Sequence, residues 1–272
     1  MERVDKKKQH IIPKAYLRAW SDPAAPQGKG GFIWVIQRVT LEKALKSPAS
    51  CFCDEDRYTI QSGGNRNLAV ENALAVVEGW FGTAQKMLMA DRQLSPENVV
   101  HVAFFAAAMM SRTQHFPEKI GGMLRTIQRQ AARLAAKAGT PPSLSDTIER
   151  ELPDIDGTTV RSGLIEFVQI IIRMNLFVLV TDDEAGFVTG DNPCAVCVPG
   201  DPRPFLGHPD VEFTLPLSPR HLAMYSWKVP TKMPSNLNRA KVDEVNSRTV
   251  AACRKEFVSW KGTVRSEWIA GR

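Results

Sequence analysis

The tightest constraint on this fold is a helix with almost no polar side to show to water. Ser95-Pro96-Glu97 is a strong helix start. Serine caps, proline occupies the first turn where its missing N–H is not needed, and glutamate sits near the positive end of the helix dipole. The run that follows, through Phe104 and Met110 to about Arg112, is apolar nearly all round. Such a helix is buried, so it belongs at the centre of the fold.

Its neighbours in sequence are helical too. Leu68, Leu74, Val77, Phe81 and Leu88 recur at helical spacing over Leu68 to Met89. Pro117 ends the buried helix, and a further helix is predicted from about Glu118 to Ala138, stopping at Gly139 before Pro141-Pro142. Another covers Thr158 to Asn175. Around this middle the pattern is of short apolar strands. Phe32 to Val39 precedes it; Leu176–Val180, Phe187–Thr189, Ala195–Val198, Phe213–Leu217 and Leu222–Trp227 follow, punctuated by proline and glycine. A last helix, about Asn236 to Cys253, leads to a closing strand, Glu256 to Trp260. Near the start, His10 to Trp20 holds a short helix behind Pro13, Asp22 to Gly31 is a loop, and Ser47 to Tyr58 is irregular. The expectation is an α+β fold with a helical middle of about four helices, packed with short strands from the N-terminal and C-terminal parts. Residues 1–9 are expected to be a basic lead-in, and 10–272 a single α+β domain.

Composition narrows the class. At 43% apolar and 24% charged, the 272 residues are globular rather than disordered. A net charge of +6 permits an acidic partner without demanding one. No stretch approaches the roughly 18 uninterrupted apolar residues of a membrane span. No apolar segment backs the basic N-terminus as in a signal peptide. An odd, sparse set of five cysteines fits a reducing cytoplasm better than a disulfide framework. Cys51, Cys53, Cys194 and Cys197 offer four thiolates to zinc, but neither pair lies in a Gly-rich knuckle. Cys194 and Cys197 stand in an apolar run, where cysteine acts as a small hydrophobe.

Familiar catalytic signatures are missing: no Walker loop, no dinucleotide fingerprint, no His-Glu-x-x-His helix and no nucleophile elbow. Four polar features remain. His10, just before a helix, titrates near neutrality and suits an acid, base or metal ligand; its structural alternative is to anchor that helix. Asp191, in Thr189-Gly190-Asp191-Asn192-Pro193 after a strand, is a strand-end carboxylate suited to general-base or metal work; its alternative is an Asx-turn. Glu71 and Glu78, seven apart, share one helix face about two turns apart. With His10 and Asp191 they form a candidate ligand set for a divalent cation, Mg or Mn, although solvated glutamates and salt bridges are the commoner outcome. Arg125, Arg129, Arg133 and Lys137, four apart, make one basic stripe suited to phosphate backbones, extendable by Lys119 and Arg150; its alternative is a solvated outer face.

These residues also carry a resemblance. Gln9-His10-x-x-Pro13-x-x-Tyr16-Leu17-x-x-Trp20 resembles the opening signature of the domain-of-unknown-function 4238 family. The strand Phe32 to Gln37, the segment ending Asp56-Arg57-Tyr58, the paired glutamates, Arg112-Thr113, Leu215-Pro216-Leu217-Ser218-Pro219 and Asn246 extend the likeness. So does Phe187 to Pro193, with Gly190 where the family usually has serine. The likeness covers roughly residues 9 to 260 and implies that these polar positions belong to a shared site. It carries no established activity.

Two functions follow as expectations. The first is an intracellular hydrolase acting on a phosphodiester or nucleotide, a nuclease or a defence or toxin effector. His10 and Asp191 would work at a polar pocket and Arg112 would stabilise a phosphate through its fork. The second is a non-catalytic protein that binds nucleic acid or an acidic partner along the Arg125–Lys137 helix.

Overall fold

The computed structural model describes residues 8–25, 31–62, 65–113, 115–139, 155–201, 204–229 and 236–269, with positions 141, 144, 146, 147 and 149 between. A strand, β1 (Lys8–His10), leads into a one-turn helix, α1 (Lys14–Leu17). Five short strands follow: β2 (Ile33–Gln37), β3 (Lys43–Lys46), β4 (Cys53–Glu55), β5 (Ile60–Ser62) and β6 (Asn65–Asn67). The helical middle comprises α2 (Ala69–Met89), α3 (Pro96–Arg112), α4 (His115–Ala138) and α5 (Ile155–Ile171). Then come β7 (Asn175–Val180), β8 (Thr189–Gly190), β9 (Ala195–Cys197), β10 (Glu212–Pro216) and β11 (His221–Ser226). Helix α6 (Arg239–Ala252) and strand β12 (Glu256–Ser259) follow, and two 3-10 turns (Trp260–Gly262 and Ser266–Trp268) come after them. The fold is α+β, with its helices in the middle of the sequence and strands on either side.

Two four-stranded sheets are present, ordered β7-β11-β10-β9 and β3-β2-β12-β8, beside the ribbons β1-β4 and β5-β6. All of these pairings are antiparallel. The second sheet joins β2 and β3 from the start of the chain to β12 from its end. Two departures from the sequence reading lie here. Lys8 and Gln9, expected in a frayed lead-in, form β1, and part of the irregular 47–58 stretch forms its partner β4. Residues 1–7 lie outside the described residues. Among the described residues, no helix is long and apolar enough to cross a membrane.

Helix α3 is the buried axis its sequence demands. The Ser95 hydroxyl accepts the Asn98 amide hydrogen at 3.2 Å, and Val102, Phe105, Ala106, Ala107, Ala108 and Met109 are all buried. On one side α2 presents Val70, Leu74, Val77, Phe81 and Leu88, and the Phe81 ring stacks on Phe105 with centroids 3.7 Å apart. On the other side α5 comes close because position 163 is glycine: a Cβ there would stand 2.6 Å from the Phe116 ring and 3.2 Å from Ser111 Cβ. Helix α4 is different. Beyond Gly121 none of its residues is buried, and Met123 and Leu134 are exposed.

Helix α1 joins these layers. The Tyr16 hydroxyl donates to the Pro216 carbonyl at the end of β10 and accepts from the Thr189 hydroxyl in β8, both at 2.7 Å. One oxygen atom therefore links the two four-stranded sheets. Trp20 Nε1 donates to the Phe187 carbonyl at 2.7 Å, and Gln85 Nε2 on α2 reaches the carbonyls of Tyr16 and Leu217. In α6, buried Asn246 accepts from the Val188 amide and donates to the Gly186 carbonyl, both at 2.9 Å. Much of the signature is thus spent on satisfying buried backbone groups, which would otherwise cost free energy.

Candidate functional site

The ribbon β1-β4 begins with a fully buried glutamine. Gln9 Nε2 donates to the Thr59 hydroxyl at 3.0 Å, and its Oε1 accepts the Tyr58 amide at 2.6 Å. Alternation along a strand then turns the next side chain, His10, to the opposite face. His10 is half-buried, with Nε2 3.4 Å from the Ala49 carbonyl oxygen. A carbonyl only accepts, so Nε2 carries the proton and Nδ1 keeps its lone pair. Burial pushes the His10 pKa below its usual value, and Lys14 and Lys8 act the same way, against the opposing pull of the Ala49 carbonyl and Glu78. The imidazole is neutral at neutral pH and able to take a proton.

Arg112, in the last turn of α3, lies beneath this ribbon and is 1% exposed. Its Nη1 pairs with Glu78 Oε1 on α2 at 2.7 Å, and its Nη2 donates to the His10 backbone carbonyl. The Tyr58 hydroxyl donates to the Arg112 carbonyl at 3.1 Å, satisfying one of the acceptors a helix leaves open at its C-terminus, and the Tyr58 ring lies 5.7 Å from the guanidinium carbon. Burial works against the Arg112 charge, but Tyr58 and Glu78 outweigh it and raise its pKa. Nε remains buried with no acceptor among the described residues. Arg112 therefore joins the Glu78 side chain and the His10 backbone, from three separate elements. Glu71 stands two turns back on α2, half-buried, and its charge acts on Tyr58.

Arg112 is placed differently from the expectation of a phosphate-binding fork. Both Nη atoms are occupied and the side chain is enclosed, so it positions Glu78 and the His10 backbone. Asp191 stands in a different place again. Its Oδ1 accepts the Arg254 amide at 2.8 Å, and its Oδ2 accepts those of Lys255 at 2.7 Å and Glu256 at 3.1 Å. Asn192 Nδ2 donates to the Ala252 carbonyl at 3.0 Å. The turn thus fastens β8 to the corner between α6 and β12. Gly190 is required there: a Cβ would lie 2.4 Å from Cys253 Sγ and 2.7 Å from the Glu256 carbonyl oxygen.

His10, Glu71, Glu78 and Asp191 do not close around a common point. Among the described residues, no three His, Cys, Asp or Glu side chains gather as metal ligands. The same holds for the cysteines, which are all free: Cys51 and Cys53 lie at β4, Cys194 and Cys197 at β9. On α4, Arg125, Arg129, Arg133 and Lys137 are all exposed, and no carboxylate pairs with them among the described residues. Arg150 and the Lys119 side chain lie outside the described residues. Sequence reasoning missed Gln9 and Tyr58 as the groups that hold the cluster together; the only available signal was their place in the signature beside His10 and at the end of Asp56-Arg57-Tyr58.

The chain belongs to the family described as "Protein of unknown function (DUF4238)", whose model matches residues 8–261. The match begins at the first residue of β1. No curated protein and no solved structure matches the chain.

Proposed function

We propose that the chain is a hydrolase of phosphodiester or nucleotide substrates, working at the His10–Glu78–Arg112 cluster. The observation that carries this reading is one buried guanidinium that holds the Glu78 carboxylate through Nη1 and the His10 backbone carbonyl through Nη2, beside a part-exposed imidazole. His10 acts as the general base on water, and Glu78 stabilises the imidazolium that forms. Arg112 keeps both in place. A nuclease or a nucleotide-cleaving defence or toxin effector falls within this class.

The test is a hydrolysis screen with nucleotides, single-stranded and duplex nucleic acids, with and without Mg and Mn. Turnover by the wild type that falls on the order of a hundredfold in His10→Gln, with unchanged folding, supports the reading. Wild-type inactivity across the screen, or undiminished activity in the variant, rejects it.

A second reading is supported by α4, whose four exposed cations line one stripe and have no carboxylate partner among the described residues. Here the chain binds nucleic acid or an acidic protein without cleaving it. Affinity for a duplex oligonucleotide should fall steeply with salt, and reversing Arg129 and Arg133 to glutamate should abolish it. Salt-insensitive binding that survives the reversal excludes this reading.

A further inference from the structure

Cys53, by sequence a candidate zinc ligand only, takes no part in the cluster above. In the β1-β4 ribbon, Cys53 is the register partner of His10. The next rung, Ile11 N–H to the Phe52 carbonyl at 2.7 Å, is a hydrogen-bonded one. Antiparallel rungs alternate, so His10 and Cys53 occupy a non-hydrogen-bonded rung. There the Cα atoms approach to about 4.5 Å and the side chains stand on one face at their closest. Cys53 is half-buried, while Cys51, Cys194 and Cys253 are buried. Its thiol has only a long contact, 3.9 Å, to the Ser50 carbonyl. With Nε2 of His10 turned to Ala49, the lone pair for accepting a proton is on Nδ1.

We propose that Cys53 is a nucleophile activated by His10, with Glu78 and Arg112 positioning the base. This rests on the reading of His10 as a general base and names the step it serves. The Cys53 thiol gives its proton to His10 Nδ1, and the thiolate attacks the electrophilic phosphorus. The bond to the leaving oxygen breaks, and that oxygen takes the proton from the imidazolium. Water, deprotonated by His10, then cleaves the sulfur–phosphorus bond and frees the thiol.

The experiment is alkylation of the full chain by iodoacetamide at pH 7, each cysteine followed by mass spectrometry. Half-buried Cys197 is the internal reference. Cys53 should react about tenfold faster than Cys197 at pH 7. His10→Gln should remove that advantage. If Cys53 reacts no faster than Cys197, or keeps its advantage in His10→Gln, the pair is rejected. Should His10→Gln expose the buried thiols by unfolding, the wild-type comparison of Cys53 with Cys197 decides alone, and equal rates reject the pair. Fast His10-dependent alkylation without turnover on any substrate retains the pair and rejects the hydrolase. Turnover lost in His10→Gln but kept in Cys53→Ser retains the hydrolase and rejects the nucleophile.

Discussion

The Asp191 turn and the His10–Glu78–Arg112 cluster each set a chemically capable residue at the end of a short strand. In the fold they diverge. At the turn, both carboxylate oxygens are taken by three consecutive backbone amides, and the neighbouring Asn192 is also spent on the main chain. At the cluster, the main chain of His10 is held by Arg112 and its ring keeps a free lone pair, with Glu78 still partly open to solvent. A polar residue becomes available for chemistry when something else has already met the needs of the backbone around it.

The contrast can be broken at several points. Arg112→Leu should cost most, about 3–5 kcal/mol in urea unfolding, because it strands the Glu78 carboxylate and the His10 carbonyl together. If the loss is below about 1 kcal/mol, the guanidinium does not hold the cluster. Asp191→Ala should cost about 2–3 kcal/mol by leaving three amides without their acceptor, while turnover per folded molecule stays unchanged. A selective loss of turnover at full stability would return Asp191 to the chemistry.

Gly190→Ala should cost about 2 kcal/mol through overpacking. Adding Cys253→Ala should recover only part of it, because the Glu256 carbonyl oxygen still blocks the new methyl group. Full recovery would make the sulfur the sole obstacle. The smallest effect is a slope in stability with pH. His10 and His221 both have pKa values pushed below 6.5, chiefly by burial, so between the folded and unfolded values the unfolded chain binds more protons. Stability should therefore fall as pH drops below about 6.5, and His10→Gln and His221→Gln should each flatten the decline. An unchanged slope in both would place the acid sensitivity elsewhere.

What was legible in the sequence follows from the range of the forces involved. Helix α3 could be read because its cap and its apolar surface are local, and the stripe on α4 because four-residue spacing fixes a face. Strands β1, β3 and β4 could not. Lys8–His10, Lys43–Lys46 and Cys53–Glu55 have no apolar alternation, and only distant partners make them strands. The cluster was half visible: helical spacing put Glu71 and Glu78 on one face, but no spacing brings together His10 and Arg112, 102 positions apart. The resemblance pointed to these polar residues without saying which would be bound up in the backbone. Asp191 and Arg112 were expected to do chemistry and are instead engaged in holding the chain.

Arg112 grips residue 10 by its carbonyl oxygen, an atom every amino acid possesses. The seat is therefore indifferent to the identity of its occupant. A different side chain at position 10, natural or introduced, would inherit the same backbone placement beside Glu78 and Cys53. The ribbon is in effect a socket whose chemical tool can be exchanged without rebuilding the handle.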